Sequence, residues 1–180
     1  MVAGSKVKKQ IMNYNQNSGY GQIMANNAPL GVVGKTFIVG KSALAYRDIY
    51  NELSPTDPDG KARFFATVDA AIGACTANAG DTILVLPGHT ETVTATSIAH
   101  DVAGVSVIGL GSGQNRPTFT FGAAAATITI SAANGTWKNC RFVGNFLDVA
   151  SAFTLGAAKG FTLEGNSFTE TSSVLNFLSI

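Results

Sequence analysis

Two histidines and two carboxylates lie close together in this sequence and could act as an acid and a base. His89 and Glu91 follow a Pro-Gly turn, and His100 and Asp101 come next along the chain. A histidine titrates near neutral pH, so it can exchange a proton with a substrate beside a carboxylate. A histidine that bonds to nearby loop backbone explains the same spacing. Both interpretations stay open, and we expect no catalytic residue.

Asp148 and Glu170 form a second candidate pair, because a structural repeat of about 25 residues would bring them near the same place in consecutive turns. Hydrolysis of a glycosidic bond needs two carboxyl groups about 5–9.5 Å apart. Charged residues at the turns of a repeat commonly only keep the surface solvated. We favour that interpretation for both acids.

The loop from Ser54 to Gly60 contains Asp57 and Asp59, whose carboxylates could hold Ca²⁺. The ligand spacing of an EF-hand is absent, and Pro, Asp and Gly at this density are typical of turns. Cys75 and Cys140 have no metal-ligand spacing around them and are predicted to be buried and reduced. Neither a phosphate-binding loop nor a nucleophile elbow is present. We therefore expect no metal and no cofactor.

The composition limits the classes of protein to which this chain can belong. Its 180 residues are enough for one domain, and 46% of them are hydrophobic. Charged residues make up 13% and the formal net charge is +1, which provides no electrostatic footprint for nucleic acid. No apolar run approaches the ~18 residues of a membrane-spanning helix, and no secretory signal is evident. We expect neither a nucleic-acid partner nor membrane insertion.

The first 36 residues show neither helical nor strand periodicity, and Asn, Gly and Gln interrupt each apolar pair. The segment is too apolar for a flexible linker, so it is predicted to be an extended arm that binds a sister subunit or another protein. Packing on its own domain remains the alternative. The partner-binding residues would be Lys8, Ile11, Met12, Tyr14, Tyr20, Ile23 and Met24.

The rest of the chain divides into two predicted parts. Residues 37–63 would hold a short strand (Thr36 to Val39), a helical turn between Ala45 and Leu53, and the Pro/Asp/Gly loop. Residues 64–180 would begin with an amphipathic helix over Phe64 to Ala77, which has apolar residues at spacings of three and four. Short strands would then follow at 82–86, 105–110, 118–121, 127–130, 136–143, 153–155 and 161–168.

Internal repetition identifies the architecture. The segment Thr136 to Phe142 aligns with Thr162 to Phe168, a displacement of 168 − 142 = 26 residues, and Ile130 aligns with Leu155, a displacement of 25. A repeat of this length with short strands and no helix fits one turn of a β-helix. The predicted fold is all-β, a short right-handed parallel β-helix with an N-terminal capping α-helix and an extended N-terminal arm.

The chain resembles the pectin-lyase-like right-handed parallel β-helix proteins. The matching segments are TVDAAI (67–72), GDTILVLPGHTET (80–92) and VSVIGLG (105–111). The resemblance is closer to β-helix proteins encoded by tailed bacteriophages, through segments 34–42, 57–72, 83–94, 101–118 and 139–142. It implies a role on the virion but is weak for function, because lyases, hydrolases and inert virion proteins share the fold.

We therefore expect a bacteriophage virion structural protein and no enzyme, in particular a capsid decoration or cement protein that binds the head surface. Its partner would be the major capsid protein or another virion protein, and it would be located in the virion after assembly in the host cytoplasm. A homotrimer is expected because apolar residues 174–180 could be covered by oligomer contacts. The alternatives are a tail-spike or tail-fibre protein that binds or cleaves host polysaccharide, and a surface adhesin encoded by the host.

Overall fold

The computed structural model describes residues 34–41, 56, 60–95 and 97–171. It contains one α-helix, α1 (Val68–Ala74), and a single turn of 3-10 helix at Gly113–Asn115. None of its described helices is long and apolar enough to cross a membrane. The strands are β1 (Thr36–Val39), β2 (Phe64–Phe65), β3 (Thr82–Val85), β4 (Thr90–Val93), β5 (Ile98–His100), β6 (Ser106–Gly109), β7 (Thr118–Phe121), β8 (Ile128–Ile130), β9 (Thr136–Lys138), β10 (Arg141–Gly144), β11 (Phe153–Leu155), β12 (Thr162–Glu164) and β13 (Ser167–Glu170).

The strands form three parallel sheets that run along one axis. The first sheet has the order β12-β9-β6-β3-β1-β2, the second β13-β10-β7-β4 and the third β11-β8-β5. Each coil contributes one strand to each sheet in turn, so coil 1 is β3-β4-β5, coil 2 is β6-β7-β8 and coil 3 is β9-β10-β11. Coil 4 begins with β12 and β13. The predicted parallel β-helix with one capping helix is confirmed.

The register confirms the repeat found in the sequence. Phe142 lies opposite Phe168, Trp137 opposite Leu163 and Ile130 opposite Leu155. Residues 141 and 167 are paired at a displacement of 26, whereas residues 128 and 153 are paired at 25. The coils are therefore of nearly equal length where coils 3 and 4 meet. Residues with the same role in successive coils stack along the axis.

The core is a set of rows of inward side chains, one member from each coil. Alternate residues of β3, β6, β7 and β8 are buried, as the period of two in a strand requires. The largest row runs through the second sheet, where the Phe142 ring stacks on Phe119 at a centroid distance of 5.6 Å and on Phe168 at 5.1 Å. The Phe153 ring meets Phe142 edge-on at 5.0 Å. Offset and edge-on ring pairs stabilise beyond their buried area.

A left-handed residue precedes the first strand of every coil by two positions. These residues are Gly80, Gly104, Asn134 and Gly160, with φ between 58° and 76°. Glycine and, less often, asparagine accept this conformation because other side chains clash with the backbone there. The repeated turn directs the chain from the third sheet of one coil into the first sheet of the next.

The capping helix is shorter than predicted. It starts at Val68 rather than Phe64, because Phe64–Phe65 is the strand β2, paired in parallel with β1. Thr67 is its N-cap, and the Thr67 hydroxyl accepts the N–H of Ala70. Val68, Ala71 and Ile72 are buried in the core cluster. The helix therefore covers the apolar end of coil 1.

The predicted strands differ from the structure in two ways. The segments 136–143 and 161–168 each divide into two strands, because Asn139 and Gly165 adopt left-handed conformations with φ of 57° and 61°. The strands β4 and β5 were missed altogether. The predicted bounds of β1, β7 and β11 agree with the structure, and the predicted helical turn between residues 45 and 53 lies outside the described residues.

We expect Phe142→Ala to lower the free energy of unfolding by about 3–5 kcal/mol, because it empties the centre of the aromatic row. Lys138 is a matched control in the same coil, since its amine forms an exposed ion pair with Glu164 at 2.6 Å. Such pairs contribute about 0–1 kcal/mol. Urea unfolding of both variants measures the difference, and equal losses would contradict the assigned inward position of Phe142.

Candidate functional site

The charged and titratable residues of interest gather at the capped end of the β-helix. His89 and Glu91 do form a pair there, with the His89 Nε2 donating to Glu91 Oε2 at 3.2 Å. Both side chains are buried, at 1% and 10% exposure. The same carboxylate oxygen accepts the N–H of Val68, the first residue of α1, at 3.1 Å. The pair therefore joins coil 1 to the capping helix.

Two more carboxylates at this end are bound to backbone. Asp81 is buried, and its two oxygens accept the N–H groups of Lys35 and Thr76, each at 2.6 Å. Asp69 on α1 accepts the N–H of Ala99 in β5 at 2.9 Å. Hydrogen bonds to a charged group are stronger than those between neutral groups. Asp69, Asp81 and Glu91, which we call the capping carboxylates, thus connect α1, β1 and coil 1.

His100 is an inward member of coil 1 and is fully buried. Its Nδ1 accepts the indole N–H of Trp137, from the opposite sheet, at 3.0 Å. Burial lowers the pKa of His100 to about 4, although the nearby charge of Asp101 acts in the opposite direction. The imidazole is therefore neutral at pH 7 and carries its proton on Nε2.

Gly135 makes room for this imidazole. A Cβ atom at position 135 would lie 2.4 Å from His100 Nε2, which is closer than real Cβ contacts come. Nε2 itself has no hydrogen-bond partner among the described residues. His100 is thus held by one strong contact to Trp137 and by close packing around the rest of the ring, and it faces the core rather than solvent.

The other sequence candidates are not brought together. Asp101 is exposed while His100 points into the core, so the two do not form a pair. Glu170 is in register with Gly144, whereas Asp148 lies four positions further on, in the exposed loop after β10. The repeat had placed Asp148 and Glu170 at the same position of consecutive coils. That placement was wrong because the loop lengths differ between the coils.

The two cysteines lie far apart along the chain and are free thiols. Burial raises the pKa of Cys140 to about 12, and burial together with the charge of Asp81 raises the pKa of Cys75 to about 12. A thiol in that state is a poor nucleophile and a poor metal ligand because the thiolate is the reactive form. Both behave as small apolar residues. Cys75 is at the C-cap of α1, and Cys140 lies between β9 and β10 rather than within one strand.

Several sequence candidates lie outside the described residues. These are Asp57 and Asp59 and all seven predicted contact residues of the arm, Lys8, Ile11, Met12, Tyr14, Tyr20, Ile23 and Met24. Within the described ranges, no group of three or more His, Cys, Asp or Glu side chains is arranged to hold a metal ion.

Sequence reasoning missed the structural role of the capping carboxylates. Their partners are backbone N–H groups that lie 46, 30 and 23 residues away in sequence. A backbone donor has no side-chain signature, so no spacing of residues could reveal these contacts. The signal that does exist is the position of Asp81 directly after a left-handed glycine and directly before β3.

Comparison with family models, with curated protein sequences and with solved structures found no match to this chain.

The pKa of His100 predicts a pH dependence of stability. The unfolded histidine titrates near 6.5 and the folded one at about 4, so the unfolded state binds more protons between these values and stability falls as the pH falls. We expect a loss of about 2–3 kcal/mol between about pH 7 and about pH 4.5 from this residue.

The variant His100→Gln supplies the control for this pH dependence, because its amide oxygen can accept the Trp137 N–H but does not titrate. Urea unfolding as a function of pH should show a smaller slope in the variant than in the unmodified protein. Equal slopes would show that His100 does not titrate with a lowered pKa.

Proposed function

We propose that this chain is a bacteriophage virion structural protein, a capsid decoration or cement protein that binds the head surface through its N-terminal arm. The observation that carries the proposal is the use of the capping carboxylates and both histidines to hold the β-helix closed. Groups that could have performed chemistry contact backbone or lie in the core instead. A scaffold of this kind suits a protein that presents a binding segment.

The attachment of the arm supports the same proposal. Residues 1–33 join the described structure at Gly34 and Lys35, beside the capped end. A Cβ on Gly34 would lie 1.9 Å from the carbonyl oxygen of Gly80, so the backbone is in close contact there. The N–H of Lys35 is bound to buried Asp81. The base of the arm is thus fixed to the scaffold, which lowers the entropy lost when the arm binds a partner.

The sequence resemblance supplies the identity of the partner in this proposal. Segments such as 83–94 and 101–118 resemble β-helix proteins of tailed bacteriophages that are associated with the virion. The partner would be the major capsid protein or another virion protein, and the protein would act in the virion after assembly in the host cytoplasm. Association as a homotrimer is also part of the proposal, and light scattering of the purified protein measures it.

The proposal assigns no catalytic activity to the chain. The alternative is a tail-spike or tail-fibre protein that binds or cleaves host polysaccharide, for which exposed Asp148 and Glu170 would be the available acids. Turnover of host capsular polysaccharide that disappears in Asp148→Asn would favour this alternative over a decoration protein.

Deletion of residues 1–33 should release the protein from particles while the β-helix remains folded, because Lys35 and its bond to Asp81 are retained. The measurement is the number of copies bound to capsids assembled from the capsid protein of the same genome. Tyr14→Ala combined with Tyr20→Ala should weaken binding, whereas Thr169→Ala, on the exposed face of β13, should not. Full occupancy by the deletion variant would contradict the proposal.

A further inference from the structure

The exposed large apolar side chains of the described structure lie in one half of coil 3. They are Phe146, Leu147 and Leu155, at 44%, 59% and 43% exposure. The first half of coil 3, β9 and β10, is covered by β12 and β13 of coil 4. The exposed half runs from the end of β10 through β11, and β11 pairs only with β8 within the described ranges.

Leu155 is exposed at a position that belongs to the core. It is in register with Ile130, which is in register with His100, and both of these inward residues are fully buried. Phe153 in the same strand is 1% exposed. Leu155 is therefore a member of an inward row whose next coil is missing from the described residues. Its exposure identifies an open coil end rather than an ordinary surface leucine.

The sequence contains a segment with the right pattern at the right distance. Adding the displacement between β8 and β11, 153 − 128 = 25, to residue 153 gives residue 178. Leu178, Ser179 and Ile180 then repeat the apolar, small, apolar order of β8 and β11. At a displacement of 25 the two apolar residues take inward positions. A displacement of 26 would place Ser179 over Phe153 instead.

The path of the chain at the end of the described part agrees with this register. The backbone N–H of Thr171 donates to the carbonyl oxygen of Gly144 at 2.9 Å, and its hydroxyl contacts Asn145 Oδ1 at 2.6 Å. Coil 4 thus still follows coil 3 at residue 171. From there to residue 178 is 178 − 171 = 7 positions, between the 128 − 122 = 6 of coil 2 and the 153 − 145 = 8 of coil 3.

We propose that residues 172–180 complete coil 4, and that Leu178–Ser179–Ile180 form a parallel strand on β11 with Leu178 over Phe153 and Ile180 over Leu155. This arrangement covers the exposed inward row with the chain's own residues and satisfies the open backbone edge of β11. It does not depend on the proposed function. It has a consequence for self-association, because a homotrimer would then have to use another surface, such as the arm.

The test is a disulfide between Thr154→Cys and Ser179→Cys in the full chain. Directly opposed residues of neighbouring parallel strands are about 4.8 Å apart, within the range that a disulfide spans. Thr129→Cys with Thr154→Cys is the positive control, since these two residues are opposed in the structure. Thr129→Cys with Ser179→Cys is the negative control, because two coils would separate them by about 9.6 Å. The native thiols compete little, since burial raises the pKa of each to about 12.

We expect the Thr154→Cys, Ser179→Cys protein to close an intramolecular disulfide at a yield comparable with the positive control, measured by mass spectrometry of peptides from monomeric protein. Disulfide-linked dimers would assign the site to a second copy and overturn the proposal. Absence of a disulfide while the positive control closes would overturn it as well. The substitutions at 129 and 154 lie on outward positions, so folding is retained.

Discussion

The buried carboxylate of Asp81 joins the three segments that close the first coil of this β-helix. It accepts the N–H of Lys35 before β1 and the N–H of Thr76 after α1, and it directly precedes β3. A buried charge is costly unless it is hydrogen-bonded, so these two donors and the carboxylate require one another. In a solenoid each coil leans on its neighbour. The coils that follow therefore depend on a first coil that is closed.

The inward row of the second sheet changes character along the axis. Its members are Glu91 in coil 1 and Phe119, Phe142 and Phe168 in the coils that follow. Glu91 can occupy an inward position because His89 and the first N–H of α1 satisfy its carboxylate. Further along, no helix end supplies donors, and stacked rings fill the space. The polar residues at the capped end are thus explained by closure of the fold, and this is why the proposed role is structural.

The sequence predicted the parts of the fold that depend on repetition. The displacement of 26 residues placed Phe142 over Phe168 because stacked coils must present equivalent residues at equal spacing. It missed β4 and β5, whose inward positions hold Glu91 and His100, since polar residues there hide the alternation of a strand. It gave Asp148 and Glu170 a shared position because loop lengths between strands cannot be seen in a repeat. The partners of the capping carboxylates were invisible for another reason: they are backbone N–H groups.

The most direct test of this account is the stability of Asp81→Asn against Asp101→Asn, an exposed acid at the same end of the molecule. Asparagine keeps the size of the side chain but leaves one of the two buried N–H donors facing an amide N–H₂. We predict a loss of about 2–3 kcal/mol in urea unfolding for Asp81→Asn, since an unsatisfied buried donor has a cost of this order. Asp101→Asn should be close to neutral. Equal stability of the two variants would contradict the claim that a buried carboxylate closes the first coil.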